Sequence, residues 1–228
     1  MSAAHRLLQN TFEVQTRLSH VNAYQFLTDS MDKLRGSTHP QIVPISNSFF
    51  PFYTSYSDLN IKWIGKKASY KSSTQRFVEA IKQLDKKLPE WEGKVRYLFP
   101  ENTAEEVAIF PKKRNLFLRG TYEQRVQAIS TLSKKLQNLS VSHPSLTVVY
   151  EDVRDYYTLC FQAREKQQQN EGALAMLGSE REAQRIITMN AYLGLVYCGL
   201  GQLHYNNLNA LKAFMDLSLL YKKAKKKE

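Results

Sequence analysis

Five histidines, two cysteines and 21 carboxylates are the side chains with which this chain could do chemistry, and their spacing argues against most of it. His5, His20, His39, His143 and His204 never stand four residues from one another or close to a cysteine, as a metal site on one helix face would require. Glu13 lies seven residues from His20, two turns away, so the Glu-x-x-His pairs of a di-iron bundle are missing. Glu151, Asp152 and Asp155 cluster, but Arg154 among them reads as a solvated face rather than two carboxylates poised for hydrolysis. Cys160 and Cys198 fall on apolar helical faces, where buried and unreactive thiols are expected. His39 and His143 each precede a proline at a helix corner and are expected to cap the last carbonyls of the helix before them. The sequence lacks a Gly-x-x-x-x-Gly-Lys-Ser/Thr loop, and Gly194, Gly199 and Gly201 sit inside an apolar helix, where close helix packing is their expected role. The expected catalytic residues, metal ligands and cofactors are therefore none.

The aromatic residues lead to the same reading. Phe49, Phe52, Tyr53, Tyr56 and Trp63, and later Tyr156, Tyr157 and Phe161, recur at core spacing. Phe50-Pro51 puts one ring off that stripe, and a pocket is expected there if anywhere.

Charge is the feature that points outward. The chain of 228 residues carries 32 Lys and Arg against 21 Asp and Glu, a formal +11. Five lysines lie in residues 222–228, expected to be a disordered basic tail; without it the balance is 27 to 20, still +7. Acid-free stretches hold Lys62, Lys66, Lys67, Lys71 and Arg76, then Lys94 and Arg96, then Lys112, Lys113, Arg114 and Arg119. Lys66, Lys67, Lys71, Arg76, Lys112, Lys113, Arg114 and Arg119 are the candidate phosphate contacts if the partner is a nucleic acid.

These residues must be positioned by helices. Apolar residues recur at steps of three and four throughout, and sustained two-residue alternation is absent, so the expected fold is an all-α bundle of about six to eight helices. One helix carries Leu7, Leu8, Phe12, Leu18, Val21, Tyr24, Leu27, Met31 and Leu34 and stops at Gly36. A second, from Pro44, is expected to stop near Gly65. A third is expected to start at Ser72-Ser73 and to be interrupted at Pro89. Thr103–Glu106 and Thr121–Gln124 have capping-box spacing. A helix after Pro144, another opened by Ser179-Glu180-Arg181-Glu182, and a last one from about Leu208 complete the set. Runs of apolar residues stop short of the roughly 18–20 that a membrane span needs, and the N-terminus lacks the pattern of a secretion signal. A cytoplasmic location is expected.

The stripes repeat. Leu27, Met31 and Leu34 recur 105 positions later as Leu132, Leu136 and Leu139, and each stripe is followed by a His-Pro pair, His39-Pro40 and His143-Pro144. Phe49 and Tyr56 map onto Val153 and Cys160; Ser73, Phe77, Ile81 and Trp91 map onto Ser179, Ala183, Ile187 and Tyr197. An internal duplication with a period near 105 residues follows, with residues 1–111 and 112–221 as repeat units of one fused bundle. The segment Arg17-Leu18-Ser19-His20-Val21-Asn22-Ala23-Tyr24-Gln25-Phe26-Leu27 in this tandem setting resembles an uncharacterised family of bacterial duplicated helical-bundle proteins, found mainly in Bacteroidetes. The resemblance implies the fold and a bacterial source, and no activity, cofactor or site residue.

The expected function is a non-enzymatic helical binding or assembly module. Its partner would be another protein or a second copy of the chain, with no membrane involved. The alternatives are a nucleic-acid-associated protein using the basic residues and an enzyme whose site forms between the two repeats.

Overall fold

The computed structural model describes residues 19–111 and 114–221, apart from the side chains of Leu208 and Tyr221. The stripe at Leu7, Leu8, Phe12 and Leu18, the lysines Lys112 and Lys113, and the tail from Lys222 lie outside them. The described residues are all-α, and none of them is in a strand.

Helix α1, His20–Arg35, opens on Ser19, whose extended backbone lets its hydroxyl accept from the Asn22 N–H at 3.1 Å. It ends at Gly36, whose N–H returns to Asp32, with Lys33 and Arg35 at the negative end of the helix dipole. Helix α2, Ile42–Leu98, is 57 residues long, about 85 Å at 1.5 Å per residue. It runs through Gly65, Ser72-Ser73 and Pro89, where a stop, a start and an interruption were expected. The Ser73 hydroxyl explains the missing start: it donates to the Tyr70 carbonyl behind it instead of accepting from an N–H ahead, the bond of a mid-helix serine. At Pro51 and Pro89 the ring sits on the exposed side, so each removes one ladder bond without breaking the helix. The Ser55 hydroxyl donates backward to the Pro51 carbonyl at 2.9 Å, another bond of a mid-helix serine.

Helices α3 (Ala104–Ile109) and α4 (Asn115–Leu118) are short. Thr103 caps the first by accepting from the Glu106 N–H at 3.3 Å. Helix α5, Tyr122–Ser142, carries the full reciprocal box between Thr121 and Gln124. A 3-10 turn, Pro144–Leu146, leads into α6, Thr147–Ala191. The helix start expected at Ser179 is internal to α6, because its hydroxyl also bonds backward, to Ala175. A π-helical turn, Tyr192–Tyr197, α7 (Cys198–Leu203), a 3-10 turn (Leu208–Ala213) and α8 (Ser218–Tyr221) complete the chain.

The described residues form two compact units. The first takes those up to Gly65 and from Ala175 onward, and the second takes Lys66–Leu174. Each therefore contains a short helix (α1 or α5), the near part of the long helix that follows it, and the far part of the other long helix. Each unit draws on residues from both sides of position 111. Phe26, Leu27, Phe49, Tyr56, Met189, Tyr192 and Leu200 form the core of the first unit. Phe77, Leu84, Leu88, Trp91, Ile129, Leu136 and Val153 form that of the second. Each such side chain stabilises its unit by about 1.5–3 kcal/mol when fully buried.

Two expectations change. Helical residues 144–203 do contain an 18-residue window apolar enough to cross a membrane, with mean hydropathy 1.3, and only 28% of it is buried. The uncharged run from Ile186 to Leu203 supplies it; neutral Gly, Asn, Thr and Gln dilute its apolar residues, which hid it from a reading that looked for an unbroken greasy run. Among the three glycines of that run, only Gly199 makes a close approach: a Cβ there would come within 2.9 Å of Ile45 Cδ1, whereas Gly194 and Gly201 face open space.

Candidate functional site

In the second unit α2 and α6 run antiparallel. Thr74 meets Gln167 (3.2 Å), the Tyr156 hydroxyl donates to the Ala80 carbonyl, and Lys87 meets Asp152 (2.9 Å). Helix α5 covers one flank of this pair, with Tyr122 edge-on to Phe77 at 5.1 Å and Glu123 paired to Arg164. The other flank is open. The residues facing it on α2 are small, chiefly Ala68, Ser69, Ser72, Ser73 and Ala80, with Ala163 opposite on α6. A trough of about 810 Å³ results. Arg76 and Glu79 of α2 and Gln162 and Lys166 of α6 stand exposed on its rim.

Two polar ties hold the helices at this spacing. Trp91 is fully buried, and its indole N–H donates to Asp152 Oδ2 at 2.7 Å. Burial alone would push the Asp152 carboxyl up. The Trp91 and Lys87 hydrogen bonds outweigh it and hold the carboxyl below the usual range. Between the two helices Gln167, 6% exposed, accepts from Arg164 at 2.6 Å and donates to Thr74. Cys160 is buried as expected, and burial pushes its thiol up to about 11. Cys198, expected to be buried, is exposed: it lies opposite the face on which Val196 and Leu200 enter the core of the first unit.

The candidate basic residues do not share one face. Arg76 lines the trough beside Lys166. Lys67 and Lys71 are exposed and Lys66 half-buried, but Lys71 is turned about 140° from Arg76 around the helix. Arg114 is engaged internally, its Nε donating to Glu92 Oε2 at 2.7 Å. Glu92 is 4% exposed and also holds Arg96, which reaches on to Glu101 and buried Glu106. Arg119 lines a separate hollow of about 350 Å³ with Lys135 and Gln124. Lys112 and Lys113 lie outside the described residues.

The histidine corners also resolve. The His39 ring accepts from the Gln41 N–H at 3.3 Å at the entry to α2, so it serves the helix after it and not the one before. His143 ends α5 through its backbone N–H, and its ring packs edge-on against Phe99. The Phe50 ring, where a pocket was expected, is covered by the Arg35 guanidinium at 4.3 Å.

One polar cluster escaped the sequence reading. In the first unit His20 bridges Tyr56 OH (3.1 Å at Nδ1) and Glu182 (3.0 Å at Nε2). Arg185, 2% exposed, forks Glu182, while Arg181 lies 3.7 Å over the Trp63 ring and donates to Asn60. Burial first, then the charge of Arg181, lowers the His20 pKa, and burial pushes Tyr56 up to about 12. A neutral imidazole fits both contacts, with Nε2–H donating to Glu182 and the single Tyr56 hydroxyl proton shared between Nδ1 and the His20 carbonyl at 3.3 Å. The cluster ties α1 to α2 and α6. The separation of 162 positions between His20 and Glu182 left no local signal, although Arg181-Glu182 with Arg185 one turn on already marked one face of a helix. Among the described residues, no three His, Cys, Asp or Glu side chains converge as a metal site would need.

Comparison with known proteins brings no relative. No family model, no curated protein and no solved structure matches this chain.

Proposed function

We propose that the chain is a non-enzymatic helical binding module whose second unit receives a partner helix in the trough between α2 and α6. The trough itself carries the reading. Two antiparallel helices with small residues on their open flank leave a furrow that a third helix fills by packing its ridge into the groove. Arg76 and Lys166 on the rim suit a partner whose small apolar ridge is bordered by carboxylates. In this reading the module comes from a bacterium, as the family resemblance implies, and works in the cytoplasm, and its two units descend from one duplicated ancestor. The matching parts of the units support that descent, as do the paired buried positions Leu27 and Leu132, Met31 and Leu136, Phe49 and Val153, and Tyr56 and Cys160. Ile81 and Ile187 depart from it, at 4% and 49% exposure.

The test places a photo-crosslinking residue at Gln83, which lines the trough, and at exposed Val141 as a control. A discrete adduct from position 83 is expected, lost when Ser72→Trp fills the trough and when Arg76 and Lys166 are both changed to Glu. Equal adducts from the two positions, or indifference to Ser72→Trp, would end the proposal.

One observation favours a second reading. Arg76 with Lys166, and Arg119 with Lys135, are two cationic pairs lining hollows of the same unit, as phosphate contacts would be. Retention on random DNA that falls steeply with salt, and that both the Arg76→Glu and Arg119→Glu variants lose, would establish that reading instead.

A further inference from the structure

The run from residue 186 to residue 203 in the first unit carries no Asp, Glu, Lys or Arg. Thr188, Met189, Tyr192, Val196 and Leu200 are its buried members, and the last four belong to the core of that unit. The opposite side is uncovered. Ile186, Ile187 and Leu195 are 39%, 49% and 36% exposed, and Asn190, Gly194, Cys198 and Gln202 are exposed among them. A Cβ built at Gly194 or Gly201 meets nothing within 4 Å, so among the described residues no other part of the chain lies over these two positions.

We infer that this neutral face is a self-association surface, on which a second copy of the chain docks by its own equivalent face about a twofold axis. The inference is independent of the trough in the second unit. Charge selects the occupant. A chain of +11 repels its own copy over most of its surface. The exposed side of this uncharged run lets two copies meet without burying like charges. An isologous contact also requires a patch complementary to itself. An antiparallel crossing centred on residue 196 sets Gly194 of one copy against Cys198 of the other. Isoleucines from each copy close the ends. A lipid surface fits less well, because the exposed side alternates amides and small residues with its aliphatics, and Glu180 and Glu182 precede it. A contact of one helical face on another is at the small end of specific interfaces, so the dimer is a weak one.

Sedimentation equilibrium of the full chain from about 1 to about 300 μM tests this, with vesicles as a separate arm. The expected result is a monomer–dimer equilibrium in which a short bismaleimide links copies through Cys198, since Cys160 is buried. Gly194→Lys, whose side chain meets nothing in its own chain, should keep the wild-type circular dichroism and melting temperature. It should be monomeric throughout and lose the Cys198 cross-link. Val141→Lys, an equal charge change on an exposed residue of the second unit, should dimerise as the wild type does, and so should Ser72→Trp. A wild type that stays monomeric, or a dimer that Gly194→Lys leaves intact, overturns the inference. So does a monomer that Gly194→Lys frees from vesicles of mixed phosphatidylcholine and phosphatidylglycerol, which would make the face a lipid contact.

Discussion

Replacing Asp152 by Ala removes the acceptor that fixes the distance between α2 and α6 beside the trough. The buried Trp91 indole N–H, now 2.7 Å from Oδ2, would be left without a partner in a dry core. A stranded donor of that kind costs about 1–3 kcal/mol. Lys87, with 35% of its side chain exposed, regains water and adds about 0.2–1 kcal/mol. The expected loss is about 2.5 kcal/mol, which at about 2 kcal/mol per molar moves a urea midpoint down by about 1.2 M. Asp152→Asn keeps an oxygen for the indole and should cost about 1 kcal/mol, because only the charge assistance goes. Of the two tryptophans, Trp63 lies in the first unit and Trp91 in the second. Trp91 fluorescence in a Trp63→Phe background therefore follows the second unit alone. The pH dependence is a second constraint. The folded Asp152 pKa lies below its ordinary value of 3.8, so the carboxylate's contribution is present above that value and is lost as pH falls through the folded pKa. In acid the protonated carboxyl still accepts from the indole as the Asn amide does, so the gap between the wild type and Asp152→Ala should narrow to about that between Asp152→Asn and Asp152→Ala. A loss under about 0.5 kcal/mol, equal losses for Asn and Ala, or a gap that does not narrow in acid would refute the reasoning.

His20 gives the opposite unit its own pH signature. Its folded pKa is below the ordinary 6.5, through burial first and Arg181 second, so the unfolded chain takes the proton earlier. Stability of the first unit should fall as pH drops below 6.5 toward the folded pKa. Urea curves read from Trp63 in a Trp91→Phe background should show this slope flattened in His20→Gln, and parallel curves at about pH 7.5 and about pH 5 would contradict it. Gly120 has φ +102°, and a Cβ there would strike the Gln124 side-chain oxygen of the capping box. Gly120→Ala should therefore cost about 1–2 kcal/mol, seen as a lowered melting temperature with unchanged helix content. An unchanged melting temperature would show that this turn carries no constraint.

The sequence alone determined that the chain is helical and where several of its helices begin and end. Gly36, Thr103 and Thr121 act within one turn of themselves, and a period of three to four needs no partner to be read, whereas the start at Ser19 was hidden because the apolar stripe runs through it. The core stripes at Leu27, Met31, Leu132 and Leu136 were legible for the same reason. The tertiary structure alone decided which breaks are real. Ser73 and Ser179 bond backward inside helices that packing keeps continuous, so a cap residue without a free end to cap is only a serine. It also assigned the charges. Arg114 turned inward to buried Glu92, Arg76 turned to a trough rim, and His20 found Glu182 across 162 residues. Local hydrogen bonds and periodicity are set by neighbours along the chain. The partner of a charge and the width of a groove are set by residues brought together from far apart, whose pairing leaves no mark on the local sequence.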